Sequence, residues 1–388
     1  MFEIDDVKGQ TAKLKVVGVG GAGGNAINNM IASNLQGVEF IAINTDTQVL
    51  DTSLAPTKVQ IGASITKGLG AGSNPEIGKQ SAMEDRASIA ERLEGSDMVF
   101  ITAGMGGGTG TGASPVVADV AREMGALTVA IVTKPFFYEA KIRAINAEEG
   151  LRELRNHVDT LIVIPNDRIA LVVEKNTPLL KSFSIANDVL RQAIQGISDI
   201  IIKPGLINVD FADVRTIMQN TGKAVMGTGS GKGEGGAAEA AKKAISNPLL
   251  EDSSIEGARG ILLNITGGIN LSLSDVQEAA SIVYDSAHEN AAIIIGNVID
   301  PDVEDEVRIT VIATGFEEKK EKAELPQIRK WVPVNESVNY RAAGRVLAKN
   351  LRQGIMVDKI STDLMPYEDP LDVPTFMRNT PNTPQRDM

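Results

Sequence analysis

The chain is expected to be α/β: a Rossmann-like parallel sheet with a nucleotide site, a long central helix, a smaller α+β second domain and a disordered C-terminal tail. Three observations predict this. Short apolar runs alternate with helical patterns through the first half, the rhythm of a parallel sheet covered by helices on both faces. Two glycine-rich runs, residues 18–25 (GVGGAGGN) and 104–112 (GMGGGTGTG), each follow a strand-like run and precede a helical one. A long helical stripe then separates this half from a second block of strands and helices.

In chain order, residues 13–18 (KLKVVG) read as a buried strand, and a glycine turn leads to a helix over 25–34. The next strand, 38–43, ends in Asn44, Thr45 and Asp46. Residues 98–103 form a strand and 104–112 a loop. A helix over 114–124 carries Pro115 in its first turn, where a missing N–H costs nothing. Residues 127–133 and 160–164 are further buried strands. Ile185, Val189, Ala193, Ile197 and Ile201, widened by Leu190, Ile194 and Ile200, predict a helix over 184–202, stopped by Pro204 and Gly205. Buried on much of its circumference, it is placed to lie between two domains. Beyond it, helices are expected over 237–245 and 274–288, the latter capped by Ser274 or Asp275, and strands over 260–266, 291–295 and 307–314. These patterns give an N-terminal extension (1–12), a nucleotide-binding domain (13–183), the central helix (184–203) and a second domain (204–316). A flexible linker (317–368), a partner-binding peptide (369–380) and an end segment (381–388) follow.

Composition narrows the function. Of 388 residues, 43% are hydrophobic and only 4% aromatic, so the core is aliphatic. With no cysteine, disulfides, thiolate metal sites and cysteine nucleophiles are excluded. His157 and His288 are the only histidines, which excludes a histidine-rich metal site, and both are expected to be structural. A net charge of −12 argues against general nucleic-acid binding. No apolar run approaches the roughly 20 residues that span a bilayer, and the start does not resemble a signal peptide. A soluble cytoplasmic protein is expected.

Residues 18–23 satisfy G-x-G-x-x-G after a strand, which on its own suggests a dinucleotide site with Asp46 on a ribose hydroxyl. That reading gives residues 104–112 no role. A P-loop is rejected: Gly231-Lys232 is followed by Gly233 rather than Ser or Thr, and Met226 stands at the first glycine position. Residues 227–236 are therefore expected to be a mobile surface loop. Two glycine loops in one half-domain point to a nucleoside triphosphate held from two sides.

Residues 106–112 (GGGTGTG) match the signature loop of the tubulin/FtsZ family. Residues 20–26 (GGAGGNA), 44–46 (NTD), 68–75 (GLGAGSNP), 164–167 (IPND) and 208–215 (NVDFADVR) resemble FtsZ segments in FtsZ order. The resemblance runs over 13–315 and resumes at 371–378 (LDVPTFMR). It implies an assembling cell-division GTPase of the bacterial FtsZ type, cytoplasmic and at the mid-cell division site, where it forms the cytokinetic ring. GTP and GDP are the implied ligands, with magnesium and, as an open point, potassium.

On this resemblance Gly20, Gly21, Ala22, Gly23, Gly24 and Asn25 approach the phosphates, the glycines leaving no Cβ in the way. Asn25 alone would read as a helix N-cap. Gly104, Gly106, Gly107, Gly108, Thr109 and Gly110 offer N–H groups at a helix start. Asn44, Asp46 and Thr133 line the pocket, and Ala71, Gly72 and Ser73 sense the γ-phosphate. Glu139 and Arg143, four apart, would form a simple ion pair on one helix face; the family places them on the ribose and nucleotide. Asn166 contacts sugar or base, and Phe183 stacks on the base. Asn187 or Asp188 reads guanine.

None of these groups activates water. Asp210 and Asp213 are the candidates, with Asn208 beside them, although their spacing also fits an ordinary acidic helix start. The family places this loop on the opposite face of the subunit, completing the site of the next subunit in a head-to-tail homopolymer. The tail implies membrane-anchoring adaptors such as FtsA, bound through Leu371, Val373, Phe376 and Met377, and division regulators, with no direct membrane insertion. Two alternatives stay open: a Rossmann-type NAD(P) enzyme, and a nucleotide-regulated filament with little catalysis.

Overall fold

The structure is a computed structural model that describes residues 12–172, 177–203, 209–249, 255–301, 303 and 305–316. Asn208, the linker, the partner-binding peptide and the end segment lie outside the described residues, as do residues 1–11.

The first half contains β1 (Leu14–Val19), α1 (Gly20–Ala32), β2 (Val38–Asn44), α2 (Thr47–Asp51), β3 (Thr57–Gln60), α3 (Ala63–Thr66), α4 (Pro75–Glu84) and α5 (Arg86–Leu93). It continues with β4 (Met98–Gly104), α6 (Thr109–Glu123), β5 (Leu127–Lys134), α7 (Lys141–Arg155), β6 (Thr160–Pro165) and α8 (Asn166–Val172). The central helix is α9 (Leu179–Ile202). The second half holds α10 (Phe211–Met218), β7 (Gly222–Lys232), α11 (Gly236–Ile245), β8 (Gly260–Gly267), α12 (Leu273–Ser286), β9 (Ala292–Ile299) and β10 (Glu306–Thr314).

One sheet runs through both halves in the order β3-β2-β1-β4-β5-β6-β7-β10-β8-β9. Its first six strands are parallel, in the doubly wound order that places ligands at the carboxyl ends of β1 and β4, where the winding reverses. β7 joins the halves: Gly222–Ala224 pairs with β6 in parallel, and Val225–Lys232 pairs with β10 antiparallel. Alternate strand residues feed opposite layers. Val16, Phe100 and Ile131 pack with α1 and α9, whereas Val17, Ile101 and Val132 pack under α5, α6 and α7. α9 rests on α1 and β5 on one side and on β8, β9 and β10 on another, as its wide apolar stripe requires.

Three local expectations are corrected. α1 starts at Gly20, not Asn25, because the chain turns helical directly at the end of β1; Asn25 therefore sits exposed in the second turn and caps nothing. The second-half helix is capped by Ser272, whose Oγ accepts from Asp275 N–H at 3.1 Å while Asp275 returns a bond to Ser272 N–H. Residues 227–236 are not a loop. They form the end of β7, a turn and the start of α11. A Cβ on Gly227, Gly229 or Gly231 would lie 2.0, 2.2 and 2.1 Å from the carbonyls of Ala244, Ala240 and Gly236, so these glycines let the helix lie directly on the strand.

Candidate functional site

One cavity, about 850 Å³, lies along α9 against the second half and is lined by Arg191, Gln195, Asp199, Asn264 and Thr310 among others. Neither of the two glycine loops lines it. Another, about 460 Å³, is where the expected site residues meet.

Its phosphate end is built from two helix starts. α1 begins at once after Val19 and α6 after Gly108, and neither has a side chain capping it. The orphan N–H groups of both first turns, with the positive end of each helix dipole, favour an anion between them. Gly21, Ala22, Gly107, Gly108, Thr109 and Gly110 all line the cavity. The neighbouring helices α2 and α4 differ. Asp46 Oδ1 accepts from Gln48 N–H at 3.0 Å and Val49 N–H at 3.3 Å, and Asn74 Oδ1 accepts from Glu76 N–H at 3.0 Å.

The loop glycines divide into those that leave open space and those packed against protein. Added Cβ atoms on Gly21 and Gly107 would meet nothing within 4 Å. Most others are filled by protein. A Cβ on Gly20 would lie 2.8 Å from Gly110 N, one on Gly108 2.8 Å from the Ala71 Cβ, and one on Gly110 2.8 Å from Gly104 O. Gly23 seats α1 on Thr102 O, and Gly106, at φ +101, sits against Arg143 O. These glycines pack the two loops onto each other. Gly20, Gly23, Gly24, Asn25 and Gly106 are outside the cavity lining; Gly104 is in it.

Hydroxyls and amides fix the loop shapes. Thr109 and Thr45 share a buried hydroxyl bond of 2.7 Å, and Thr111 Oγ1 accepts from Gly106 N–H at 2.8 Å. Asn44 Oδ1 accepts from Thr45 N–H at 2.9 Å, so its side chain shapes the turn that brings Asp46 to the cavity wall. Ala71 and Ser73 line the opposite wall, Ser73 at φ +61; Gly72 between them faces open space. Thr133, at the end of β5, completes the floor.

Glu139 and Arg143 both reach the cavity, joined at 2.8 Å, but not as neighbours on one helix. Glu139 ends a short 3-10 turn, Ala140 breaks the path at φ +94, and Arg143 belongs to α7. The other Glu139 oxygen accepts from Phe136 N–H at 2.9 Å, which holds the carboxylate against the turn. Beside it, the Tyr138 hydroxyl is pushed above the usual phenol range, first by burial and then by the charges of Glu139 and Asp167.

The far end is suited to a base. Asn166 is 6% exposed, and its Oδ1 has no hydrogen-bond partner among the described residues. Phe183 lines the cavity, 38% exposed. Asn187, one turn along α9, lines it too, while Asp188 does not: its oxygens accept from Arg191 Nε and Gln192 Nε2, each at 2.7 Å. Sequence reasoning missed Ala186 and Leu190, which the 3.6-residue period places on the Phe183 face. It also missed Val19, Val49, Gly70, Met105 and Pro135, whose only signal is adjacency to predicted residues.

Asp210 and Asp213 are exposed and take no part in this cavity. Asp210 caps α10, its Oδ1 accepting from Asp213 N–H at 2.8 Å, so the acidic helix start is real. Arg215 Nη2 donates to Gly125 O at 3.3 Å and Asn220 N–H to Asp159 Oδ1 at 3.4 Å; Gly125 and Asp159 precede β5 and β6. The helix is thus tied to the amino ends of the strands. The glycine loops leave their carboxyl ends, and the eight residues of β5 span roughly 25 Å between those edges. His157 bonds Asp119 at 3.1 Å, away from the cavity, as a structural histidine would.

Two uncapped helix starts around one anion site, without a P-loop and with a polar pocket at the far end, define an α/β nucleotide-binding protein. Family comparison specifies which. Residues 13–174 match the tubulin/FtsZ family GTPase domain, and residues 222–317 match the FtsZ family C-terminal domain. An FtsZ dimer from M. jannaschii is 46% identical, with TM-score 0.76, over 79% of this chain and 89% of that one. CetZ2 from Haloferax volcanii shares the fold at 19% identity and TM-score 0.69, over 79% and 94% of the two chains. The chain belongs to the tubulin/FtsZ family and is a GTPase that binds GTP and GDP. The NAD(P)-enzyme alternative is set aside.

Proposed function

We propose that this protein assembles head to tail into filaments that hydrolyse GTP where two subunits meet, and that these filaments form the cytokinetic ring of a dividing bacterial cell. One observation carries the reading: the nucleotide cavity and the Asp210–Asp213 helix start lie on opposite edges of one sheet, so neither acid can reach the nucleotide of its own chain. Two copies stacked edge to edge bring them together. The family setting supports this, since the M. jannaschii FtsZ match is a dimer and the CetZ2 match a GTPγS-bound protofilament. So do exposed apolar side chains next to the cavity in sequence: Leu69, Phe137, Tyr138 and Leu180.

In this reading the N–H groups of Gly21, Ala22 and residues 107–110 hold the phosphates, Ala71 and Ser73 face the γ-phosphate, and Glu139 and Arg143 hold the ribose side. Phe183 stacks on guanine, Asn166 contacts sugar or base, and Asn187 reads the base, since Asp188 is engaged with Arg191 and Gln192. Magnesium would be held chiefly by the phosphates: the carboxylates at the wall are Asp46, one oxygen of which caps α2, and Glu139, tied to Arg143. Bound there, it neutralises phosphate charge. Potassium at this site is a further proposal. The incoming Asp213, whose carboxylate accepts no bond among the described residues, orients the attacking water, with Asp210 and Asn208 beside it. Water attacks the γ-phosphorus, and GDP leaves.

A cytoplasmic place at mid-cell belongs to the same proposal, as do adaptors such as FtsA docked on residues 371–378 and division regulators. No helix among the described residues is long and apolar enough to cross a membrane.

The test is GTP turnover per molecule against protein concentration. It is expected to rise steeply from near zero in dilute solution, and Asp213→Ala is expected to bind GTP normally while losing about 100-fold in turnover. Undiminished turnover by dilute monomer would refute the reading.

A further inference from the structure

The cavity-lining Phe183 does not stand alone. Its ring meets Phe136 edge to face, with centroids 5.4 Å apart and planes at 87°. Phe136 is 6% exposed, outside the cavity lining, and its other aromatic contact among the described residues is Tyr138, stacked at 5.1 Å and 14°. The turn carrying Phe136 is pinned three ways. Glu139 N–H donates to Phe136 O at 3.0 Å, Phe136 N–H donates to Glu139 Oε1 at 2.9 Å, and Phe137 N–H donates to Asp167 Oδ1 at 3.0 Å. Glu139 in turn holds Arg143.

From this geometry we infer that Phe136 is a positioning residue for nucleotide recognition: it touches no ligand, and it sets the ring of Phe183 against which the base lies. An aromatic side chain exposed at 38% on one helix face has rotamers to choose from. An edge-to-face partner fixed by three backbone pins removes that choice before the ligand arrives, and so lowers the ordering cost of binding. The same turn carries Glu139, so a single segment sets both the ribose-side ion pair and the base wall. The inference rests on the proposed stacking of the base on Phe183.

The experiment is a double-mutant cycle on the full chain, with GTP affinity measured calorimetrically in dilute solution. Phe136→Leu keeps an apolar side chain of similar bulk but removes the ring edge. It is expected to weaken GTP binding about 3- to 10-fold, while lowering the unfolding temperature by only about 2–4 °C, so that the protein remains folded at the temperature of the binding measurement. Phe183→Ala is expected to weaken it at least as much. The double variant is expected to bind no worse than Phe183→Ala alone, because Phe136 acts only through that ring. Additive losses, or no loss in Phe136→Leu, would overturn the inference and leave the stacking intact. No loss in Phe183→Ala would overturn the stacking and the inference together.

Discussion

The two halves of this molecule use glycine for opposite ends. In the nucleotide half, a few glycines leave open space at the cavity wall: added Cβ atoms on Gly21 and Gly107 would meet nothing. In the second half, Gly227, Gly229 and Gly231 leave space that a helix fills, with α11 carbonyls 2.0 to 2.2 Å from where a Cβ would stand. By composition the two runs look alike. What separates them is what fills the missing side-chain volume. The nucleotide loops contain both kinds, since Gly108, Gly110 and Gly112 are packed by their own protein, Gly112 with Pro75 O only 1.9 Å from a would-be Cβ.

The largest effect is expected where backbone blocks the new atom. Gly229→Ala would press a methyl against Ala240 O and within 2.7 Å of Ala244 N, forcing α11 off the sheet. A loss of about 3 kcal/mol is expected in denaturant unfolding. Nucleotide affinity per folded molecule should be retained. A variant of full stability would break the comparison, because the second run would then be a loop after all.

Gly107→Ala is the converse. Its φ lies outside the left-handed region and its Cβ would meet open space, so stability should be unchanged. The methyl would instead occupy ligand volume, and GTP affinity should fall about tenfold, or about 1.4 kcal/mol, by calorimetry. Gly112→Ala, in the same run, should behave like Gly229→Ala. Equal outcomes for Gly107 and Gly112 would erase the distinction drawn within the loop.

Much of this was legible in the sequence. The parallel strands expected over 98–103, 127–133 and 160–164 are found at Met98–Gly104, Leu127–Lys134 and Thr160–Pro165, since a strand buried on both faces must be a continuous apolar run. Glycine hid the second part of β7, because Gly227, Gly229 and Gly231 put no side chains on the face toward α11 to give a period of two. Helices α4 and α5 bury chiefly Gly78, Ser81, Ala82, Ile89 and Leu93, too small and too few for a visible stripe. At the site, the glycine runs gave the place but not the division of labour. Whether a missing Cβ faces ligand or backbone depends on residues far away in the chain, such as Pro75 for Gly112. That Asn187 and not Asp188 lines the cavity likewise depends on packing: Arg191 and Gln192, three and four residues on, stand at a spacing that permits their bonds to Asp188 without showing which way the helix face turns.

The smallest effect contrasts one carboxylate in each setting. In the nucleotide half, burial would push Asp119 up, but bonds from Arg86 at 2.7 Å and His157 at 3.1 Å together outweigh it and hold the carboxyl below its usual range. Its contribution to stability is present above the unfolded value and lost as pH falls through the folded one. On α9, facing the second half, Asp199 goes the other way. Burial pushes it up, and Lys203 at 3.2 Å with Gln195 at 3.3 Å offsets only part; Asp300 adds to the rise. The folded state then holds the proton more tightly than the unfolded one, so Asp199 costs stability at neutral pH and that cost shrinks on acidification through its raised value. Asp199→Asn is therefore expected to raise the unfolding temperature by about 2 °C at neutral pH, because Lys203 keeps solvent and Asp300 as partners. The gain should close as the pH is lowered, whereas Asp119→Asn should lower the unfolding temperature at neutral pH and lose that penalty in acid. Thermal unfolding of both variants across pH checks the two signs at once, and parallel behaviour would remove the electrostatic contrast between the two settings.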